Sequence, residues 1–347
     1  MKIDSLNSYI SERISSKKPF VFYRLSGDTQ LSLIENDEVI FLDNFPLTKE
    51  GFIFHPFSVA HHNIELLEGK ATQVLLNEKN NDSLPLTTLI NKEKPFISDF
   101  NIYQKQFASL QEDFAAKRMK KAILSRIKWI DRKEINLHQS FLQVLQNYPE
   151  AYAYLYYSPS AGVWMGASPE KFIHLNNKHL ETTALAGTIS EGEQFTNKEM
   201  EEQMVVTHFI TQNLHHLKNL EADSPEAIRA GNLIHIRANI RGEIDNDSDI
   251  TDIVNKLHPT PAVGGFPKEK ALEKINLIEK HDREFYSGFA GTVGKQQANL
   301  FVNLRCAQFY KDGIALYVGG GITKLSIVEK EWQETEKKAQ TIERIIK

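Results

Sequence analysis

The segment AYAYLYYSPSAGVWMGASPEKFIHL (151–175) decides the fold class. It holds three apolar runs, AYAYLYY (151–157), GVWMGA (162–167) and KFIHL (171–175), separated only by short polar turns. Such short, aromatic-rich runs bounded by turn residues read as strands. Parallel neighbours need a crossover of a dozen or more residues, so strands joined this tightly pair antiparallel. The prediction is therefore an α+β fold and not a doubly wound parallel sheet.

Outward from this segment the pattern continues. KAILSRIKWI (121–130) precedes it, and LIHIRANI (233–240), ANLFVNLRCAQFY (298–310) and GIALYVGGGI (313–322) follow as further strands. Helical periodicity covers about 103–120, with Tyr103, Phe107, Leu110 and Phe114 on one stripe. It returns over 139–147, 197–219, 247–256, 268–279 and 326–346. The first hundred residues mix short strand-like runs with turns: FVFYRL (20–25), EVIFLDN (38–44) and KATQVLLNE (70–78), then a loop at NNDSLP (80–85). No repeat, low-complexity tract or clear domain boundary interrupts the chain.

Composition bounds the function. The 347 residues are 41% hydrophobic and 25% charged, with a net charge of −4. That charge excludes a nucleic-acid partner attracted by bulk electrostatics. The single cysteine, Cys306, forms no internal disulfide, and the opening MKIDSLNSYISERISS carries no signal peptide. The expected compartment is the cytoplasm. No apolar run approaches the roughly 20 residues that cross a bilayer, so membrane residence is not expected.

Two helices carry glutamates where apolar residues would be expected. In NKEMEEQMVVTHFITQNLHHL (197–217), Glu202 shares the inward face with Val205, Val206, Phe209 and Ile210. Alone, it reads equally as a carboxylate favoured by the helix dipole at the core's edge. In KEWQETEKKAQTIERII (330–346), Glu331, Glu334 and Lys338 lie close to one face, beside Trp332, Ala339 and Ile342. Alone, that face reads as solvated and ion-paired. Together the two helices offer hard oxygen ligands of the kind Mg²⁺ prefers. Nothing suggests zinc, because the twelve histidines show no ligand spacing.

Glycines mark further candidates. TALAGTIS (183–190) sets Gly187 and Thr188 after an apolar segment, and ALYVGGGITK (315–324) sets Gly319, Gly320 and Gly321 between a strand and a helix. A triple glycine is either an anion cradle or a plain bend. HPTPAVGGFPKEKA (258–271) is a defined loop. Arg305 is expected inside a strand, facing solvent or paired with an anion.

These segments together resemble the chorismate-utilising enzymes, a family that includes isochorismate, salicylate, anthranilate and aminodeoxychorismate synthases. The matching stretches are KAILSR (121–126), GASPEKF (166–172), ALAGT (184–188), KEMEEQMVV (198–206), LHPTPAVGGFP (257–267), DREFYSGFAG (282–291), LRCA (304–307), GGGI (319–322) and EWQET (331–335), in the family's order. The resemblance implies a single domain over 1–347, with a variable N-terminal part (1–100) and a catalytic core (101–347). It implies two antiparallel sheets packed as a sandwich with helices outside. It also implies Mg²⁺ held by Glu202 and Glu334, with Glu331 close by, and a substrate pocket formed by Gly187, Thr188, His235, Tyr286, Arg305, Gly319, Gly321 and Lys338. Relatives often carry histidines around the key glutamate, where this chain reads Glu201-Glu202-Gln203; inward periodicity favours Glu202.

The resemblance also suggests the reaction. Glu170 corresponds to the family's general acid and Lys121 to the base that deprotonates water. Ammonia-using relatives have glutamine where Lys121 stands and need a glutaminase, and no G-x-C-x-G segment is present here. Aminodeoxychorismate synthases commonly place lysine, and salicylate synthases threonine, where this chain has Ala262. The expected activity is therefore chorismate to isochorismate, by a monomer without a glutaminase subunit. The alternatives are a salicylate synthase or a non-catalytic chorismate-binding protein. Whether the product would feed menaquinone, a catechol siderophore or salicylate is left open.

Overall fold

The computed structural model describes residues 1–346 apart from 4, 46–48, 77–91, 133–134, 231–232 and 247–248. Its strands are β1 (Lys2–Ile3), β2 (Phe20–Arg24), β3 (Leu31–Glu35), β4 (Ile40–Leu42), β5 (Gly51–His55), β6 (Ile64–Glu68), β7 (Thr72–Leu76), β8 (Lys121–Asp131), β9 (Tyr152–Ser158), β10 (Gly162–Ser168), β11 (Lys171–Asn176), β12 (His179–Ser190), β13 (Lys218–Ala222), β14 (Glu226–Ala230), β15 (Leu233–Glu243), β16 (Gly265–Phe266), β17 (Phe289–Gly294), β18 (Gln297–Val302), β19 (Cys306–Tyr310) and β20 (Gly313–Thr323). Its helices are α1 (Leu6–Ser15), α2 (Phe100–Ala115), α3 (Leu137–Asn147), α4 (Asn197–Asn213), α5 (Asp249–Leu257), α6 (Lys268–Ile278) and α7 (Val328–Glu343).

The strands form two sheets. The first runs β1-β7-β3-β2-β9-β10-β19-β20-β8-β16. The second runs β13-β15-β12-β11-β18-β17-β5-β6-β4, with β14 also on β15. Short turns make the neighbours antiparallel, as in β9 with β10 and β17 with β18. Among the described residues only the two-residue β1 pairs in parallel, with β7. The first hundred residues add strands to both sheets.

Alternation along β9 shows why the sheets stack. Tyr152, Tyr154 and Tyr156 face the layer between the sheets, while Ala153, Leu155 and Tyr157 face the helices. Both faces are covered, so the strand reads as one continuous apolar run. The layer between the sheets is largely aromatic: Phe54 stacks on Phe285 at 4.1 Å, Tyr152 on Phe301 at 4.3 Å and Trp164 on Tyr317 at 5.0 Å. Such rings bury large areas and favour offset or edge contacts. Outside, α1, α3 and the end of α7 cover the first sheet, α4 and α5 cover the second, and α2 packs over β8 and β20. The expected α+β sandwich is present.

Several local expectations change. The run 298–310 is two strands, because the chain leaves the second sheet after β18 and enters the first at β19. Arg305 sits in that crossing with φ of 48°, a left-handed conformation that cannot extend a strand. Apolar patterning ran straight through because both halves are buried. Gly319, Gly320 and Gly321 do not form a bend; they lie within β20, opposite Ser125, Leu124 and Ile123. Gly187 lies inside β12 at a register shift, with φ of 72°. Helix α4 ends at Asn213 and α2 at Ala115, each short of its expected end. Helix α1 and the β13 and β14 strands were not expected, and NNDSLP falls outside the described residues.

Candidate active site

Two crossings between the sheets run side by side. One joins β10 to β11 through Pro169 and Glu170; the other joins β18 to β19 through Asn303, Leu304 and Arg305. The Ala167 amide donates to the Arg305 carbonyl at 3.1 Å, and the Val302 amide to the Glu170 carbonyl at 3.0 Å. The Ser168 hydroxyl donates to the Val302 carbonyl at 2.5 Å. A carboxyl and a guanidinium are thereby fixed at one place by backbone geometry.

They open on a cavity. Lys121, Glu170, Gly187, Thr188, Glu202, His235, Tyr286, Arg305, Gly319, Gly321, Glu334 and Lys338 all line it, as does Ala262. Of the expected residues, only Glu331 does not line it; Glu331 lines an adjoining cleft, which shares Thr188 and Glu334 with the cavity. Helix α4 begins with a capping box of Thr196 and Glu199, and Glu202 follows one turn later, buried. Its neighbour Glu201 is exposed, in agreement with the inward periodicity.

Glycine shapes the wall. A Cβ on Gly321 would lie 2.0 Å from Glu202 Oε1, and one on Gly319 would lie 2.9 Å from Tyr286 Oη. Strand β19 pairs with β20 only as far as Tyr317. Past that point β20 has no strand partner on that side among the described residues, and Val318 to Gly321 face the cavity. Lys338 Nζ donates to the Gly319 carbonyl there at 2.9 Å.

Charge is concentrated and paired. Lys338 lies 2.7 Å from Glu334, Lys198 lies 2.8 Å from Glu331, and Lys121 Nζ is 4.0 Å from Glu202 Oε1. Lys198 is not among the residues expected from the sequence; the signal for it is its position four residues before Glu202, on the same helix face. Arg305 donates to Thr341 Oγ1 at 2.8 Å, and its other terminal nitrogen lies 3.3 Å from His235 Nε2. His235 Nδ1 is 3.1 Å from Thr188 Oγ1.

Burial sets the proton affinities. It pushes the Glu170 carboxyl up to about 8, although Lys121 and Lys338 pull the other way. It lowers the Lys121 amine, against the pull of Glu202. Glu331 rises to about 7 through burial and then the charge of Glu334. Burial also opposes the charge of Glu334, but Lys338 and Lys198 hold it below the usual carboxylate range. Burial and then Arg305 keep His235 neutral.

The oxygens fit a hard cation. Glu202 Oε1 and Glu331 Oε2 are buried without a hydrogen-bond partner. Among the described residues no three acidic, histidine or cysteine side chains already form a metal cage. Mg²⁺ does not require one, because it keeps several waters and takes one or two carboxylates plus a substrate anion.

The chain is similar to isochorismate synthase MenF of Escherichia coli, with 33% identity over 189 residues, covering 51% of this chain and 44% of that protein. It is also similar to isochorismate synthase MenF of Haemophilus influenzae, with 24% identity over 78% of this chain and 67% of that protein. The alignment thus spans under half of the first relative and about two thirds of the second. The crystal structure of the menaquinone-specific isochorismate synthase MenF of Escherichia coli superposes with a TM-score of 0.82 at 20% identity, covering 99% of this chain and 91% of that one. The family model described as chorismate binding enzyme matches residues 52–347, and the chain belongs to that family.

Proposed function

We propose that this chain is an isochorismate synthase, an Mg²⁺-dependent isomerase that moves the hydroxyl of chorismate from C4 to C2 with water as the nucleophile. One observation carries the reading. A buried carboxyl pushed up to about 8 and a buried amine whose proton affinity burial lowers, Glu170 and Lys121, line one cavity. That is the pairing a simultaneous attack and departure needs.

On this reading neutral Lys121 takes a proton from water as the oxygen bonds to C2. The two ring double bonds each move one bond along, and the C4–O bond breaks. Glu170 gives its proton to the departing oxygen, which leaves as water. Arg305 and the free edge of β20 hold a substrate carboxylate, since a guanidinium and backbone N–H groups both suit that anion. His235 and Thr341 keep the guanidinium in place. Glu202 and Glu334 would hold Mg²⁺ directly and Glu331 through water. The ion would orient the ring carboxylate and spread its charge. Holding the water and the ring in one geometry would make positioning a large part of the rate.

Ala262 supports release of isochorismate intact, because it puts no hydroxyl or amine into the cavity. The test is to incubate purified protein with chorismate and Mg²⁺ and to separate the products by chromatography. Isochorismate is expected, with little salicylate and no anthranilate when ammonium is added. Salicylate as the main early product would make the chain a salicylate synthase. Anthranilate would remove the role given to Lys121. Tight chorismate binding without turnover would leave a binding protein.

A further inference from the structure

Strand β8, which carries Lys121 as its first residue, is unevenly supported. On one side it pairs with β20 along its whole length, from Lys121 with Thr323 to Asp131 with Gly313. On the other side β16 is two residues long and pairs only with Lys121 and Ala122. The Ile123 amide still finds a backbone partner, the Gly264 carbonyl at 2.9 Å. Beyond that the backbone ladder stops.

Two side chains continue it. Arg283 Nη2 donates to the Ile123 carbonyl at 2.7 Å, and the Ser125 amide donates to Glu279 Oε1 at 2.7 Å. Ile123 and Ser125 are alternate residues, so these are the groups a neighbouring strand would have paired. Arg283 and Glu279 are themselves joined by two bonds, Nε to Oε2 at 2.8 Å and Nη2 to Oε1 at 2.7 Å. Both are buried, with side-chain exposures of 3% and 4%. Arg283 lies over the ring of Phe57, 4.3 Å from its centre.

Arg283 reaches two other walls, one through its guanidinium and one through its backbone. Its Nη1 donates to the Val263 carbonyl at 2.9 Å, next to Ala262 in the cavity lining. Its backbone carbonyl accepts from the Tyr286 amide at 2.8 Å. One residue that does not itself line the cavity thus ties together the strand of Lys121, the loop of Ala262 and the turn of Tyr286.

We propose that the Glu279–Arg283 pair is a substitute strand along the free edge of β8, and that Arg283 is a positioning residue which holds Lys121 in register for proton transfer. The catalytic half of this inference rests on the function proposed above. A planar fork suits the task, because it can hold one carboxylate and two carbonyls at once, whereas a lysine cannot.

R283K and E279Q test the proposal. Thermal unfolding first establishes that each variant is folded. Steady-state turnover of chorismate with Mg²⁺ should then show kcat lowered at least about tenfold, with KM within about threefold, as expected when a catalytic group is displaced by a fraction of an ångström. Hydrogen exchange followed by mass spectrometry should show faster exchange confined to the segment 121–126. Wild-type kcat in R283K would overturn the proposal, and so would a rise in KM alone. Unchanged exchange at 121–126 would overturn it whatever the rate. If R283K does not fold, E279Q carries the test; loss of fold in both would mean that the pair holds the fold and not the lysine. If the wild-type chain does not convert chorismate, the function proposed above fails, and the exchange result alone decides the strand-edge claim.

Discussion

Glu65 and Glu170 are both buried carboxylates in the sandwich, and they live in opposite surroundings. Glu65, on β6, borders the aromatic layer and accepts three hydroxyls, from Tyr156 and Ser158 at 2.6 Å each and from Ser160 at 2.7 Å. Glu170 stands at a crossing between the sheets and faces a cavity shared with Lys121 and Lys338. Burial raises the proton affinity of both, and at Glu65 the three hydroxyls oppose the rise. A carboxylate with both oxygens engaged by hydroxyls is a structural tie. One that faces open space beside an amine has a proton to give. Burial alone therefore does not mark an acid; what borders it does.

Replacing the two residues should separate these roles. The largest effect is expected for E170A and K121A, each losing about 10²–10⁴-fold in turnover, since that is the usual contribution of one proton-transfer group. Their unfolding temperatures should stay close to wild type. Full activity in either variant would cancel its assigned role.

E65A should do the reverse. The buried hydroxyls of Tyr156 and Ser158 lose their acceptor, at a cost of roughly 2–5 kcal/mol in denaturant unfolding. Turnover per folded molecule should hold. A stable but inactive E65A would abolish the contrast drawn here.

A smaller effect is expected for E202Q and E334Q. The Mg²⁺ concentration that gives half-maximal activity should rise about tenfold or more, as for other changes at metal sites. Unfolding without metal should change little or become harder, because each variant removes a buried charge. Identical metal titrations in both variants and wild type would refute the proposed ligands.

The last effect concerns pH. The Glu170 carboxyl moves from an ordinary 4.5 to about 8 in the folded chain. The folded state then binds the proton more tightly than the unfolded one, so stability from this group is complete below about pH 4.5 and is lost as pH rises towards 8. E170Q should flatten that slope and gain on wild type above pH 8. Equal slopes for the two proteins would mean that Glu170 titrates normally.

Much of this was legible in the sequence, for identifiable reasons. The runs at 151–175 became β9, β10 and β11 because turn residues punctuate them. Glu202 was legible because helical periodicity turned it inward, and it is buried. The place of Arg305 was not legible: apolar patterning is blind to a chain that leaves one buried sheet for another. Nor was the part played by the triple glycine, which clears space for Glu202 and Tyr286 from neighbouring elements. Lys198 and Arg283 escaped for a related reason. Each matters through a partner that only the tertiary structure supplies, Glu331 for one and the edge of β8 for the other.

The pairing of β8 with β20 has a consequence for synthesis on the ribosome. Each residue of KAILSRI finds its inner partner roughly two hundred positions later, Lys121 with Thr323 and Ile127 with Tyr317. Until that late strand emerges, an apolar strand waits with one long edge unsatisfied, and such an edge is a template for aggregation. Pairings this distant in sequence also fold slowly. The nascent chain is therefore most vulnerable until residues 313–323 have been made, because only then does β8 gain its full-length partner. A truncation just before residue 313 should leave an insoluble product, and should be far more dependent on chaperones than loss of the two-residue β1.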